Sequence, residues 1–381
     1  MRVETDTMMS SGSESKRPSP GAGPPKTAGS PTMRAGHWVR RNLFSTPFNS
    51  ALTLLILYGL YLALPPLINW AIINADWIGA SREDCTSGGA CWVFIGMRLN
   101  QFLYGFYPAE EQWRVNLGFS LLALLLVPLT IKGFRHKRPL ALALVLGYPA
   151  IAYLLFHGGV PGLPLVQTHQ WGGLMLTLVL AVVGIVLALP FGVLLALGRR
   201  SKMPIIRAGC ITYIEIWRGV PLITVLFMAS VMLPLFFPGE VTVDKLLRAM
   251  IGIVLFQSAY MAEVVRGGLQ AIPKGQYEAA EALGLGYWRS MRLVILPQAL
   301  RLVIPGIVNT FIALFKDTTL VLIIGLFDLL GIIQQAFTDP NWLGYAVEGY
   351  VFAALVYWIF CFGMSRYSQT LEQELNRGTS R

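Results

Sequence analysis

Apolar residues run along this chain in long blocks separated by short polar and charged interruptions. Crossing a hydrocarbon core takes about 20 mostly apolar residues, with a range of roughly 17–25, so gaps between charges locate candidate spans. Arg41 to Asp76 contains no Asp, Glu, Lys or Arg and predicts a helix over about 50–70. Arg114 to Lys132 leaves 17 uncharged residues and predicts one over about 115–131. Arg138 to Arg199 leaves 60, enough for two spans. The turn composition of His157-Gly158-Gly159-Val160-Pro161-Gly162-Leu163-Pro164 divides them into about 139–157 and 171–197. The same reasoning predicts spans over about 210–237, 246–265, 302–325 and 345–366. Residues 1–48, rich in Ser, Gly, Pro and Thr, lack apolar periodicity and read as a disordered tail. The first apolar run starts too far in, and is too long, for a cleaved leader.

Composition agrees with a polytopic membrane protein of all-α class and about eight transmembrane helices. Of the 381 residues, 55% are hydrophobic and 13% charged, about half the charged share of a soluble domain. The net charge of +10 raises the question of nucleic acid. Distribution answers it: with the N-terminus inside, 23 Lys and Arg lie in inside segments and 5 outside. That is the bias of cytoplasmic loops facing anionic lipid, and no nucleic-acid face is left. The expected topology has both termini cytoplasmic. Cys85 and Cys91 fall in the first outside loop and read either as a disulfide or as two thiols. Cys210 and Cys361 read as packing residues. Trp70, Trp77, Trp113, Trp171, Trp342 and Trp358 fall near span ends and read as an interfacial belt.

Several chemistries are missing. None of the eight lysines follows a glycine, so the chain has no Gly-Lys-Ser/Thr phosphate loop. His37, His136, His157 and His169 are too widely spaced for a zinc helix, and no Cys-x-x-Cys pair exists. No Gly-x-Ser-x-Gly turn occurs. No catalytic or metal-binding residues are expected.

One long inside loop, 266–301, differs from the others. Pro273 suits the first turn of a helix. Glu278, Ala279, Ala280, Glu281, Ala282 and Leu283 favour helix, and Gly284 can take the left-handed position that stops one. A second short helix is expected from Trp288 to Leu296, with Pro297 marking its end or a kink. The three alanines make the first helix thin enough to enter a groove on another protein. Leu283, Leu285, Tyr287 and Trp288 supply apolar anchors beside it.

Glu278-Ala279-Ala280, three residues, Gly284, nine residues, then Val294-x-Leu296-Pro297 resembles the EAA loop of ABC importer permeases; Val stands where Ile is common. Glu215-Ile216-Trp217-Arg218-Gly219-Val220-Pro221-Leu222, Ala259 to Gly268, and Lys316-Asp317-Thr318-Thr319-Leu320 resemble the polar amino acid subfamily. The extended chain is similar to one subunit of the broad-specificity L-amino acid permeases of Gram-negative bacteria. The resemblance implies a type I ABC importer transmembrane domain over 170–370. Before it lies an extension over 49–169 with three helices and a periplasmic loop, and a tail over 371–381 follows. It implies transport of L-amino acids across the bacterial inner membrane by alternating access. No cofactor would bind this chain; ATP would act through a cytoplasmic ABC ATPase dimer docked at Glu278, Ala279, Ala280 and Gly284. The further partners implied are a second permease subunit of different sequence and a periplasmic amino acid binding protein.

Ionisable groups within spans are functional candidates. Glu215 and Arg218, and Glu263 and Arg266, are spaced i,i+3 and can pair on one face. Pro221 can break the helix that carries the first pair. Lys316 and Asp317 are neighbours and point in different directions. Glu215, Arg218, Lys316 and Asp317 are candidates to line the substrate path, with pairing among themselves or across subunits as the structural alternative; Glu263 and Arg266 favour that alternative. For the whole chain the competing reading is an ion-driven secondary carrier, in which loop 266–301 is only a linker. A membrane scaffold would leave the loop motif unexplained.

Overall fold

Prolines and glycines cut the apolar blocks into more pieces than the charge gaps suggest. The computed structural model describes residues 38–131, 134, 136–236 and 243–377. Most of the expected tail, 1–37, lies outside these; its end is ordered, with a helical turn over 38–42. Two units are distinguished, Met1–Asn69 and Trp70–Arg381.

The first unit is built on α1 (Pro47–Ile68). The Thr46 side chain accepts from the Asn49 amide at 3.2 Å and Pro47 occupies the first turn, a helix start in which two orphan amides are dealt with at once. No residue of α1 is buried. A helix apolar on every side is stable only in an apolar surrounding, which a bilayer supplies.

In the second unit, α2 (Trp92–Tyr104) and α3 (Gln112–Thr130) precede α4 (Lys137–Leu142) and α5 (Tyr148–His157), which are joined by a π-helical stretch over Ala143–Gly147. Then come α6 (Gly173–Arg199), α7 (Pro204–Gly219), α8 (Leu222–Val231), α9 (Lys245–Ala271), α10 (Lys274–Ala282), α11 (Tyr287–Ser290), α12 (Leu296–Leu302), α13 (Ile304–Asp317), α14 (Leu329–Ala336) and α15 (Ala346–Arg377). The described residues carry no sheet, only isolated bridges. At the centre α6 lies against α9. A Cβ at Gly192 would come within 2.6 Å of the Met261 side chain, so this contact depends on glycine.

Six described helices are long and apolar enough to cross a membrane, or seven if the bent pair α7–α8 is one span. The count of eight is therefore not reproduced, and two local corrections explain why. The continuous helix expected over 210–237 is two helices meeting at 102° across Val220 and Pro221. The helix expected over 139–157 carries the π-helical stretch in its middle. The last helix continues past 366, to Arg377.

The outer loop expected between the first two spans contains α2, which packs Val93, Phe94 and Phe102 into a buried cluster with Ile332, Ile333 and Trp342. Trp342 and Trp171 are buried at 6% and 4% exposure, so these two belong to the core and not to an interfacial belt. Cys85 and Cys91 form a disulfide, with Cα atoms 5.6 Å apart. Arg98 pairs with Asp339. The Asn341 backbone N–H, helped by Arg98, holds the Asp339 carboxyl below the usual carboxylate range.

Candidate functional site

Loop 266–301 is a helix, a glycine turn and a second helical run. Pro273, with ψ of 142°, is the N-cap of α10 and so sits one position before the first turn. Gly284 has φ of +72°. The Leu285 amide donates to Ala280 O at 3.1 Å and the Gly284 amide to Glu281 O at 2.8 Å, the two bonds of a Schellman stop. Beyond it, α11, a π-helical stretch over Met291–Ile295, and α12 follow one another. Pro297 does not end this run: it lies in the first turn of α12, directly after the π-helical stretch.

The loop is seated on the bundle by its apolar side. Ile272, Met291, Ile295 and Ala299 join Leu197, Ile214, Met261 and Val265 in one buried cluster. Ala280 is 2% exposed; of the four motif residues it alone is buried against the chain itself. Glu278, Ala279 and Gly284 are exposed. Around them Leu283 is 79% and Trp288 68% exposed. Trp288, Arg289, Arg292 and Leu293 line an open hollow of about 720 Å³.

The charged residues sort into two places. Glu215 and Arg218 lie near the end of α7 and do not pair with each other. Glu215 accepts from Arg199 Nη1 at 3.1 Å. Arg218 Nη1 lies 3.6 Å from Glu263 and its guanidinium covers the Tyr260 ring. Glu263 also holds Arg199 at 2.7 Å and Arg266 at 2.8 Å. One carboxylate on α9 thus gathers guanidinia from α6, α7 and its own helix. Arg218 therefore finds its carboxylate on another helix, and its i,i+3 neighbour Glu215 is held by Arg199.

Lys316 and Asp317 end α13, away from this network. Gln257 on α9 donates to Asp317 Oδ2 at 3.4 Å. Lys316 is exposed and in no salt bridge among the described residues. Several polar residues were not anticipated from the sequence. Arg199 read as one more basic loop residue; its position at the end of an uncharged gap was the available signal. Asp328 caps α14, taking the Gly331 amide at 3.0 Å, and accepts from the Tyr357 hydroxyl at 2.8 Å. No pattern in the sequence marked it, because it lies between spans.

Comparison with known proteins adds to this geometry. The profile of the family described as binding-protein-dependent transport system inner membrane component matches residues 188–377. The chain is 59% identical over 355 residues to the inner membrane amino-acid ABC transporter permease protein YhdY of Escherichia coli strain K12, covering 93% of this chain and 97% of that one. It is 40% identical over 420 residues to the glutamate/glutamine/aspartate/asparagine transport system permease protein BztC of Rhodobacter capsulatus, covering 93% and 96%. Among solved structures, one titled an amino acid ABC transporter with histidines aligns at 29% identity and a TM-score of 0.47, covering 53% of this chain and 92% of that one.

Proposed function

The chain belongs to the binding-protein-dependent transport system inner membrane components and is an amino-acid ABC transporter permease; from that premise we propose that it lines an L-amino acid path that opens alternately to the two sides of the membrane, driven by a separate ATPase seated on loop 266–301. Its helices make it a multi-pass inner membrane protein. Permeases of this family work with an ATPase and a substrate-binding protein.

The observation that carries the proposal is the outward face of α10. A nine-residue helix with one buried residue adds little to the stability of its own chain. Yet it is fixed in place by a complete glycine stop and flanked by exposed Leu283 and Trp288. A small-residue face with apolar anchors beside it suits a groove on another subunit. The chain has no phosphate loop of its own, so ATP acts through that subunit. In this reading the ATPase is a dimer, the permease is paired with a second, different permease chain, and both termini are cytoplasmic, as the Lys and Arg bias favours.

Uptake into membrane vesicles holding the complete transporter tests this. Accumulation is expected to need ATP on the loop side and to survive an ionophore. Collapse on adding ionophore while ATP is plentiful would instead identify an ion-driven carrier.

Within the path we assign Lys316 to the substrate carboxylate, because it is an exposed cation in no salt bridge and Asp317 already has Gln257. Lys316→Met is expected to raise the KM for uptake about tenfold, the worth of one charge-assisted hydrogen bond. Wild-type uptake and selectivity in this variant would remove Lys316 from the path. Glu215 and Arg218, engaged with Arg199 and Glu263, are assigned to holding the loop end of the bundle together.

A further inference from the structure

Pro273 leaves a carbonyl short of a partner. Were α9 to continue, Leu269 O would accept from the amide of residue 273, and proline has none. Two side chains take its place. Arg200, the C-cap of α6, donates from Nη1 to Leu269 O at 3.0 Å and to the Tyr277 hydroxyl at 2.9 Å. Tyr277, on α10, donates that hydroxyl to the same Leu269 O at 3.1 Å. The Arg200 guanidinium carbon lies 5.5 Å from the centre of the Tyr277 ring, within the range of a cation–π contact. The ring itself packs on the buried cluster beneath the loop. These groups close a triangle that ties together the ends of α6, α9 and α10.

The residue before Arg200 extends the connection. Arg199 reaches Glu215 on α7 and Glu263 on α9. Consecutive arginines at the end of α6 thus hold α10 with one side chain and the charge network with the other. The other side-chain tie from α10 to the following run is Gln298 Nε2 to Gln276 Oε1 at 3.1 Å, a neutral and exposed bond.

We infer that Arg200 and Tyr277 are positioning residues that carry the movement of α10 into α6 and α9. The inference rests on the reading of α10 as the ATPase seat and names the contact through which that seat acts. Without the triangle α10 is free to pivot at Pro273 while the long helices stay still, and ATP turnover proceeds without opening the path. Coupling between distant sites requires an element that both sites bias, and the triangle makes α10 part of the bundle.

The test measures ATP hydrolysis and amino acid uptake together, using the complete transporter in proteoliposomes. Tyr277→Phe keeps the ring, its packing and the cation–π contact, and loses only the hydroxyl. Assembly and hydrolysis are expected to stay at wild-type levels, while amino acid moved per ATP falls at least about fivefold, the scale of one net hydrogen bond. Arg200→Gln is expected to lower the same ratio. The double variant should fall no further than the worse single, since both act through one joint. A wild-type ratio in both single variants would overturn the inference, as would uptake and hydrolysis falling in step with loss of the ATPase subunit. The seat is checked separately by cross-linking an Ala279→Cys variant to the ATPase in an active transporter. No cross-link overturns the seat and this inference with it; a cross-link with an unchanged ratio in both single variants overturns the joint alone.

Discussion

Gly284→Asp is expected to abolish amino acid uptake and to prevent the ATPase subunit from co-purifying with the permease. Gly284 sits at φ of +72°, where an L side chain costs about 1–2 kcal/mol and an aspartate somewhat less. A Cβ there meets no atom within 4 Å, so the substitution creates no clash inside the chain. The strain is small beside the stability of a packed bundle, and the permease should still fold. What changes is the outward surface. A carboxylate is added next to exposed Glu278 and Ala279, in a place that a docked partner must desolvate, and a buried charge without a counter-ion is among the most expensive contacts available. Gly284→Asn separates the two effects: asparagine tolerates the left-handed backbone and brings no charge, so it should keep most of the uptake. Normal ATPase recovery and uptake with Gly284→Asp would refute the docking role.

Much of loop 266–301 was legible because its features are local. Pro273, the alanine run and Gly284 act on the backbone within one or two turns, and the glycine stop has the conformation that its position implies. Charge gaps located the long helices for the same reason: hydrocarbon excludes charge whatever the tertiary packing. Features that depend on neighbours were less legible. Pro221 could be recognised as a breaker, but a gap in charge cannot tell a straight helix from two joined at 102°. Trp171 and Trp342 resemble interfacial residues by position, and only the packing of Phe156 on α5 against the first, and of α2 and α14 beside the second, makes them core. Glu215 and Arg218 have the spacing of a pair within one helix. Their partners nonetheless come from α6 and α9, since Glu263 gathers several guanidinia where a local pair would satisfy one. Ala280 reads as part of a docking face until α10 is seen from the side, where its methyl group is the one turned inward.

That gathering makes Glu263→Gln the other substitution with a large expected effect, here on the permease itself. Glu263 is the only carboxylate in contact with Arg218 and Arg266 among the described ion pairs, while Arg199 keeps Glu215. Taking its charge away leaves Arg199, Arg218 and Arg266 facing one another with Glu215 as the remaining counter-charge. Breaking a fully buried ion pair costs about 3–5 kcal/mol. The guanidinium side chains here are 23–36% exposed, so solvent screening reduces the expected loss to about 2 kcal/mol. The thermal unfolding midpoint of the solubilised transporter should fall, and uptake with it, because the network joins α6, α7 and α9 beneath the seat. Repulsion among cations predicts a specific rescue. Arg218→Gln, which removes the cation held at 3.6 Å, should restore part of the midpoint in the Glu263→Gln background although it does not stabilise the native chain. An unfolding midpoint unchanged by Glu263→Gln would show that the three arginines are held by something other than that carboxylate.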